Sequence, residues 1–369
     1  MKFDRRLIMN FDWILLYLVL GISIIGILNI YSSGFSLVET KLKALYLKQL
    51  QWMGVGIVFM ALAFCIDYRV IVRQAYPIYF VSLILLMLVF IISDATRGSQ
   101  RWIALAGFSL QPSELMKITV VLVLAKYFDD HKTENGYALR ELFVPFLLVL
   151  VPFLLVLKQP DLGTGIILII LFLGIIFIAG IRWKSIAQVA ASSLVLIPLG
   201  WHFLKDYQKE RIMTFLDPEQ DPLGTGYHII QSIIAVGSGG LWGKGFLRGS
   251  QTQLKFLPEQ HTDFIFSVYA EEWGFAGAML LMAVFFTLIL WGLKIAFQAK
   301  DIAGKLLAVG VTVMIFGQVF INVGMVLGIL PVVGIPLPFM SYGGSSLVVF
   351  LFSIGLLLNV RMRRFVLQP

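Results

Sequence analysis

The chain has 369 residues, 59% of them hydrophobic and 14% charged, with a mean hydropathy of +0.89. A soluble domain carries roughly 25% charged residues, so that class is excluded and a polytopic membrane protein is indicated. Lys and Arg number 29 against 21 Asp and Glu, giving a net charge of +8; the basic residues lie singly or in small groups between apolar runs, which reads as membrane topology rather than a nucleic-acid surface.

The N-terminal stretch MKFDRRLIMNFDW is a charged start before an apolar run to about Tyr31. That run is too long for a signal-peptide core and has no clear small-residue cleavage site, so it is read as a retained first span. A span needs about 20 largely apolar residues, and about ten segments qualify: 12–31, 50–66, 76–93, 113–127, 142–157, 163–180, 186–204, 273–293, 306–329 and 346–360. Cys65, the one cysteine, falls within an apolar run, so no intrachain disulfide forms and no thiol metal site is supported. The expected fold is therefore an all-α polytopic membrane protein, one membrane-embedded domain over residues 1–369. Every even-numbered span exits into basic residues: Arg69 and Arg73, Lys126 to Arg140, Arg182 and Lys184, Lys294 to Lys305, and RMRR at 361–364. Both termini are then expected to be cytoplasmic, with 94–112, 158–162, 205–272 and 330–345 facing outward.

The first outward connection and the span after it contain RGSQRWIALAGFSLQPSELMK, residues 97–117. Pro112 and Ser113 mark a helix start, and Glu114 and Lys117 at i,i+3 share one face. Charges at membrane depth pair or line a polar pathway, so the pair either locks its span or borders a cavity. Arg97 and Arg101 stand in an outward loop, where basic residues are disfavoured, and an anionic ligand outside would account for them. In LKQPDLGTG, residues 157–165, Lys158 and Asp161 read as a local pair at a span end.

The 205–272 connection is the only long one, and loops of that size are usually functional. Its segment 227–236 is too short to cross the bilayer and reads as a re-entrant or interfacial helix with a flexible, glycine-rich exit. The stretch GSGGLWGKGFLRG fits neither phosphate-loop pattern; Lys244 and Arg248 are either solvated loop charges or contacts for a lipid-linked phosphate. PEQHTDFIFSVYAEEWG, residues 258–274, carries Glu259, His261, Asp263, Glu271 and Glu272 ahead of an apolar run. A helix from Phe264 to Leu293 would be about 45 Å long, so its carboxylates sit at the outer interface or line a wet cavity. Asp263 has two readings, an N-cap for that helix or a general base. His261 is either its partner or a structural hydrogen-bonder. The four histidines show no metal-ligand spacing. In NVGMVLGILPVVGIPLPFMSYGGSS, residues 322–346, Ser341, Ser345 and Ser346 either bind a ligand or satisfy the carbonyls of a broken helix.

GFSLQPSELMKI, KQPDLGTG, PEQHTDFIFSVYAEEWGF and NVGMVLGILPVVGIPLPFMSYGGSSL occur in this order over nearly the whole chain. Together they resemble the SEDS family (shape, elongation, division and sporulation), with SQTQLKFLPEQHTDF and AEEWG closer to the elongation branch than to the division branch. The resemblance implies a ten-span peptidoglycan glycosyltransferase of the bacterial cytoplasmic membrane that polymerises lipid II at the outer face, with a class B penicillin-binding protein and the MreC and MreD scaffold as partners. It implies Asp263 as the catalytic carboxylate, Glu114 and Lys117 as an essential polar pair in a central cavity, and Asp161 as a further motif position. Lys117, Arg101, Arg97 and Arg211 are expected to stabilise the leaving diphosphate. A divalent cation, Mg or Mn, is allowed by the resemblance, though no metal cage is visible in the residues. A lipid II flippase or other transporter is the rival class.

Overall fold

The computed structural model describes residues 10–35, 44–92, 101–105, 108–203, 206–221, 224–254, 256–257 and 259–364. In chain order these form α1 (Trp13–Ser33), α2 (Leu45–Cys65), α3 (Tyr68–Arg73), α4 (Ala75–Ile92), the strands β1 (Ile103–Leu105) and β2 (Phe108–Leu110), α5 (Pro112–Asp130), α6 (Phe143–Lys158), α7 (Leu162–Ala179) and α8 (Trp183–Phe203). There follow α9 (Asp206–Leu216), a 3-10 turn (Pro218–Gln220), α10 (Thr225–Ser238), α11 (Ser250–Gln253), α12 (Ile265–Phe297), α13 (Ile302–Val326) and α14 (Gly344–Met362). Each of the ten expected spans falls on one of these helices. Among the described residues, seven are long and apolar enough to cross a membrane. α5 has a charged first turn, with Glu114 and then Lys117 inside it, and α6 has only 16 residues. The protein is a multi-pass, all-α membrane protein.

α13 and α14 are the inner helices, largely buried, whereas most of α2 is not. α5 is also enclosed almost throughout its length, and α14 packs closely along α2. The outer helices turn Phe80, Ile84, Phe143, Phe177 and Phe286 outward, as a lipid-facing surface requires. Between α4 and α5, β1 and β2 pair antiparallel with Ile103 opposite Leu110, which the sequence reading missed. Strands of three residues carry too little alternation to be recognised.

α12 is not one straight rod. Gly274 interrupts it with φ 66° and ψ −167°, a conformation open to glycine. The backbone groups freed at the break are taken by the glycine-rich segment: Phe275 N donates to Gly240 O (2.8 Å), Ala276 N to Leu241 O (3.0 Å), Lys244 N to Glu271 O and Gly245 N to Glu272 O (both 3.0 Å). A Cβ on Gly274 would come within 2.2 Å of Gly243 N. The expected flexible exit is therefore a docked loop. Glu271 and Glu272, both fully buried, hold it there. Glu271 pairs with Lys244 (2.7 Å) and accepts from the Gln251 and Thr252 amides. Glu272 accepts from Ser32 Oγ and from Leu247 N (3.1 Å). α10, which contains the 227–236 segment, lies against α12 and α13, and Ser232 at its centre bonds Ser267 Oγ (2.8 Å) and Val326 O (2.7 Å).

Candidate active site

The connections read from the sequence as outward meet over a cavity of about 470 Å³, lined by Arg101, Trp102, Glu114, Lys117, Asp161, Arg211, Glu259 and Asp263 among others. That volume is in the range of small-molecule sites. Two larger cavities, of about 910 and 810 Å³, are walled almost wholly by apolar side chains. The polar cavity sits where α5, α7, α12 and α14 all begin. Residues at or beside those four starts, Glu114, Thr164, Asp263 and Ser346, line it, and helix N-termini contribute partial positive charge favourable to anions.

Asp263 lies on the non-helical approach to α12. The helix begins at Ile265 with Phe264 at the N-cap position and no side-chain cap, so the capping reading of Asp263 does not hold. The half-buried carboxyl opens into the cavity instead, with one oxygen beside Gly334, where a Cβ would stand 3.5 Å from it. Burial, reinforced by Glu259, raises its pKa to about 6; Arg101 and Arg211 pull it down and Asp161 adds a smaller upward push. The backbone around Asp263 is fastened carbonyl by carbonyl. His261 O accepts from Tyr342 N (2.8 Å), Thr262 O from Ser341 Oγ (2.6 Å), Asp263 O from Asn322 Nδ2 (2.9 Å) and Ile265 O from Asn29 Nδ2 (2.9 Å).

On the opposite wall Lys117 Nζ contacts both oxygens of Glu114, at 2.9 and 2.8 Å, with both side chains almost completely buried. The ammonium also stands 5.5 Å from the centre of the Phe350 ring. Gln318, with its amide turned to satisfy both neighbours, accepts from Lys117 Nζ and donates to Pro336 O (3.3 Å). Arg101 reaches across to the turn between α6 and α7, donating to Gln159 O (3.0 Å) and to Pro160 O. That turn delivers Asp161, which caps α7 through Thr164 N (3.2 Å) and accepts from Thr164 Oγ1 (2.9 Å), Ser113 Oγ (3.2 Å) and Gln111 Nε2 (3.3 Å).

The structure thus brings Asp263, Glu114, Lys117, Arg101, Asp161 and Arg211 to one cavity. Lys158 is exposed at the end of α6 and does not pair with Asp161, whose oxygens are taken by the α5 and α7 starts. His261 turns its ring to Tyr342, with centroids 6.0 Å apart, and its Nε2 lies 4.0 Å from Glu259. Ser341 accepts from Leu337 N (2.8 Å), and Ser345 ties Gln111 N (3.2 Å) to Ser109 O (2.9 Å). Both serines satisfy backbone groups of interrupted structure, while Ser346 lines the cavity. Arg97 lies outside the described residues. Among the described residues no group of three or more His, Cys, Asp or Glu could hold a metal ion, and of the cavity carboxylates Glu114 and Asp161 are already engaged. The donor set does not fit a metal cage.

Sequence reasoning missed Trp102, Gln318 and Asn322. The two amides are a legible signal after the fact: polar side chains at i and i+4 inside an apolar span. Trp102 is 40% exposed and lines the cavity.

The family model described as "Cell cycle protein", covering FtsW, RodA and SpoVE, matches residues 12–365. The chain is 44% identical over 312 residues to the peptidoglycan glycosyltransferase MrdB of Escherichia coli strain K12, covering 84% of each chain. A chain from a solved peptidoglycan synthase complex that coordinates polymerization and crosslinking is similar at a TM-score of 0.82 and 34% identity, over 96% of this chain and 98% of that one. The rod shape determining protein RodA of Thermus thermophilus gives 0.71 and 30% over the same shares. With the family model spanning almost the entire sequence and the motifs in place around one cavity, the chain belongs to the SEDS family of FtsW, RodA and SpoVE proteins.

Proposed function

We propose that this protein is a peptidoglycan glycosyltransferase that polymerises lipid II during cell elongation, with Asp263 as the general base. One observation carries the reading: a carboxyl whose pKa is raised to about 6 shares a cavity with Arg101, Arg211 and Lys117, at the end of the bundle where four helices start. A base works best when its pKa lies near the operating pH. Asp263 takes the proton of the acceptor sugar's C4 hydroxyl as that oxygen attacks the donor's anomeric carbon. The new C–O bond forms as the bond from that carbon to the diphosphate oxygen breaks, with inversion to a β-1,4 linkage. The undecaprenyl diphosphate leaves with the electron pair, and the proton passes from Asp263 to solvent. Negative charge develops on the leaving diphosphate, where fixed cations and helix N-termini stabilise it without reorganising. Trp102 supplies a flat apolar face of the kind sugar rings stack on.

The basic exits of the even-numbered spans support placing both termini in the cytoplasm and the cavity at the outer face of the bacterial cytoplasmic membrane. Similarity to a synthase complex and to a rod shape determining protein supports a class B penicillin-binding protein as partner and a place in the MreC and MreD elongation machinery. Lipid II supplied to the purified protein with that partner in detergent, where vectorial transport has no meaning, should yield glycan polymer. No polymer from folded, partner-bound protein would favour the flippase reading.

A further inference from the structure

The amides of α13 connect three parts of the site that no helix connects. Asn322 is completely buried, and its Nδ2 donates to Asp263 O (2.9 Å) and to Ile335 O (2.7 Å). Ile335 and its neighbours Val333, Gly334 and Pro336 form the wall facing Asp263. One amide group therefore sets the spacing between the carboxylate's own peptide and the wall it looks onto. One turn earlier on the same face, Gln318 lies between Pro336 O and the Lys117 ammonium, and with its amide oxygen turned to the ammonium it accepts from Lys117 and donates to Pro336 O. The short run 335–336 is thus held from one helix at two successive carbonyls, each shared with a charged residue of the cavity.

Neither amide lies on a helix end or completes a sheet. Each spends its donors on non-helical backbone, the kind of backbone that survives in a membrane protein only when its groups are satisfied internally. We propose that Asn322 and Gln318 are positioning residues for the glycosyl transfer: Asn322 fixes Asp263, and Gln318 fixes Lys117, against the common reference of the 335–336 segment. A base misplaced by about 1 Å costs on the order of 100-fold in rate, so the ladder acts on turnover rather than on substrate affinity. The inference rests on the function proposed above.

The test compares Asn322→Leu, a similarly sized side chain with no donor, with Asn29→Leu. Asn29→Leu removes an equally buried bond two residues along, to Ile265 O. Each is purified with its partner and assayed with lipid II for kcat, KM, the pH dependence of kcat and thermal unfolding. The charged groups that share the cavity with Asp263 are Glu259 on its own segment, Arg101 before β1, Glu114 and Lys117 on α5, Asp161 before α7 and Arg211 on α9, and both variants leave all of them in place. Asn322→Leu should lower kcat by about 10- to 100-fold with KM within twofold. It should also move the acid limb of kcat down from near pH 6 as Asp263 gains access to water. Asn29→Leu should lower the unfolding temperature but leave the acid limb where it is. Asn322→Ser, which retains one short donor, should fall between Asn322→Leu and wild type and serves as the readout if Asn322→Leu does not insert. A kcat within threefold of wild type, or an equal loss in both leucine variants with no movement of either limb, overturns the inference. Asp263→Ala run alongside separates the two levels: if it polymerises like wild type, the proposed function fails; if it is silent while the Asn322 variants are normal, only the positioning role fails.

Discussion

Replacing Glu271 by alanine should release the 240–254 segment from the break in α12. The Glu271 carboxylate is completely buried and accepts from Lys244 Nζ (2.7 Å), Gln251 N (2.9 Å), Thr252 N (3.2 Å), Thr252 Oγ1 (3.0 Å) and Ser250 Oγ (3.3 Å). Removing one partner of a buried pair costs about 3–5 kcal/mol, because the groups left behind have lost both water and their acceptor. Lys244 keeps 27% of its side chain exposed and recovers some hydration, which places the loss near the lower end, about 3 kcal/mol. A local opening of that size raises the open population on the order of 100-fold. Lys244 and Arg248 lie within the segment and are trypsin sites, so timed digestion reads the opening directly. The wild type should stay intact between these positions while Glu271→Ala is cut there first, with Glu271→Gln intermediate. Equal rates of cutting in wild type and Glu271→Ala would refute the argument that this carboxylate anchors the loop.

The Glu114–Lys117 pair makes a similar prediction inside the membrane. Lys117→Met alone should destabilise the protein by about 3–5 kcal/mol by stranding Glu114, whereas the double change with Glu114→Gln should recover most of that loss; chemical unfolding of the two variants in detergent checks it. Acidity should act on Asp263 in two ways. Its folded pKa, raised from 3.8 to about 6, means that its protonated form favours the fold. That contribution is fully present below about pH 4 and is lost as the pH rises through about 6. Asp263→Asn should therefore raise the unfolding temperature at neutral pH, by the equivalent of about 1–2 kcal/mol after allowance for solvent at the cavity mouth. Polymerisation should fall as the pH drops through 6, since the base must be ionised. A thermal melt at pH 5 and pH 7.5, with activity measured over the same interval, checks both.

The spans were legible because each is a long apolar run, and their ends shifted by a few residues where caps and charges intervene. Asp12 caps α1 and Asp301 caps α13, for example. α12 was the exception: the sequence reading ran its helix unbroken from Phe264, with the membrane-spanning part from about Trp273, and the helix from Ile265 breaks at Gly274. The reason is tertiary. The break persists because a segment some thirty residues earlier bonds its open backbone, and hydropathy does not register that contact. The same contact turns a stretch read as flexible into a fixed loop, since its glycines allow main chain to approach main chain. At the site, the charged positions announced themselves by being expensive in a membrane. Asn322 and Gln318 did not, because uncharged amides in an apolar run look like minor interruptions until the carbonyls they hold are seen.

The most direct measurement is the polymerisation of lipid II by purified, partner-bound protein carrying Asp263→Ala, with membrane insertion and thermal unfolding monitored in the same samples. The loss of one well-placed base removes about 10²- to 10⁴-fold in rate, so the variant should be folded and close to silent. Polymer made at a rate within threefold of wild type would contradict the assignment of Asp263 as the base.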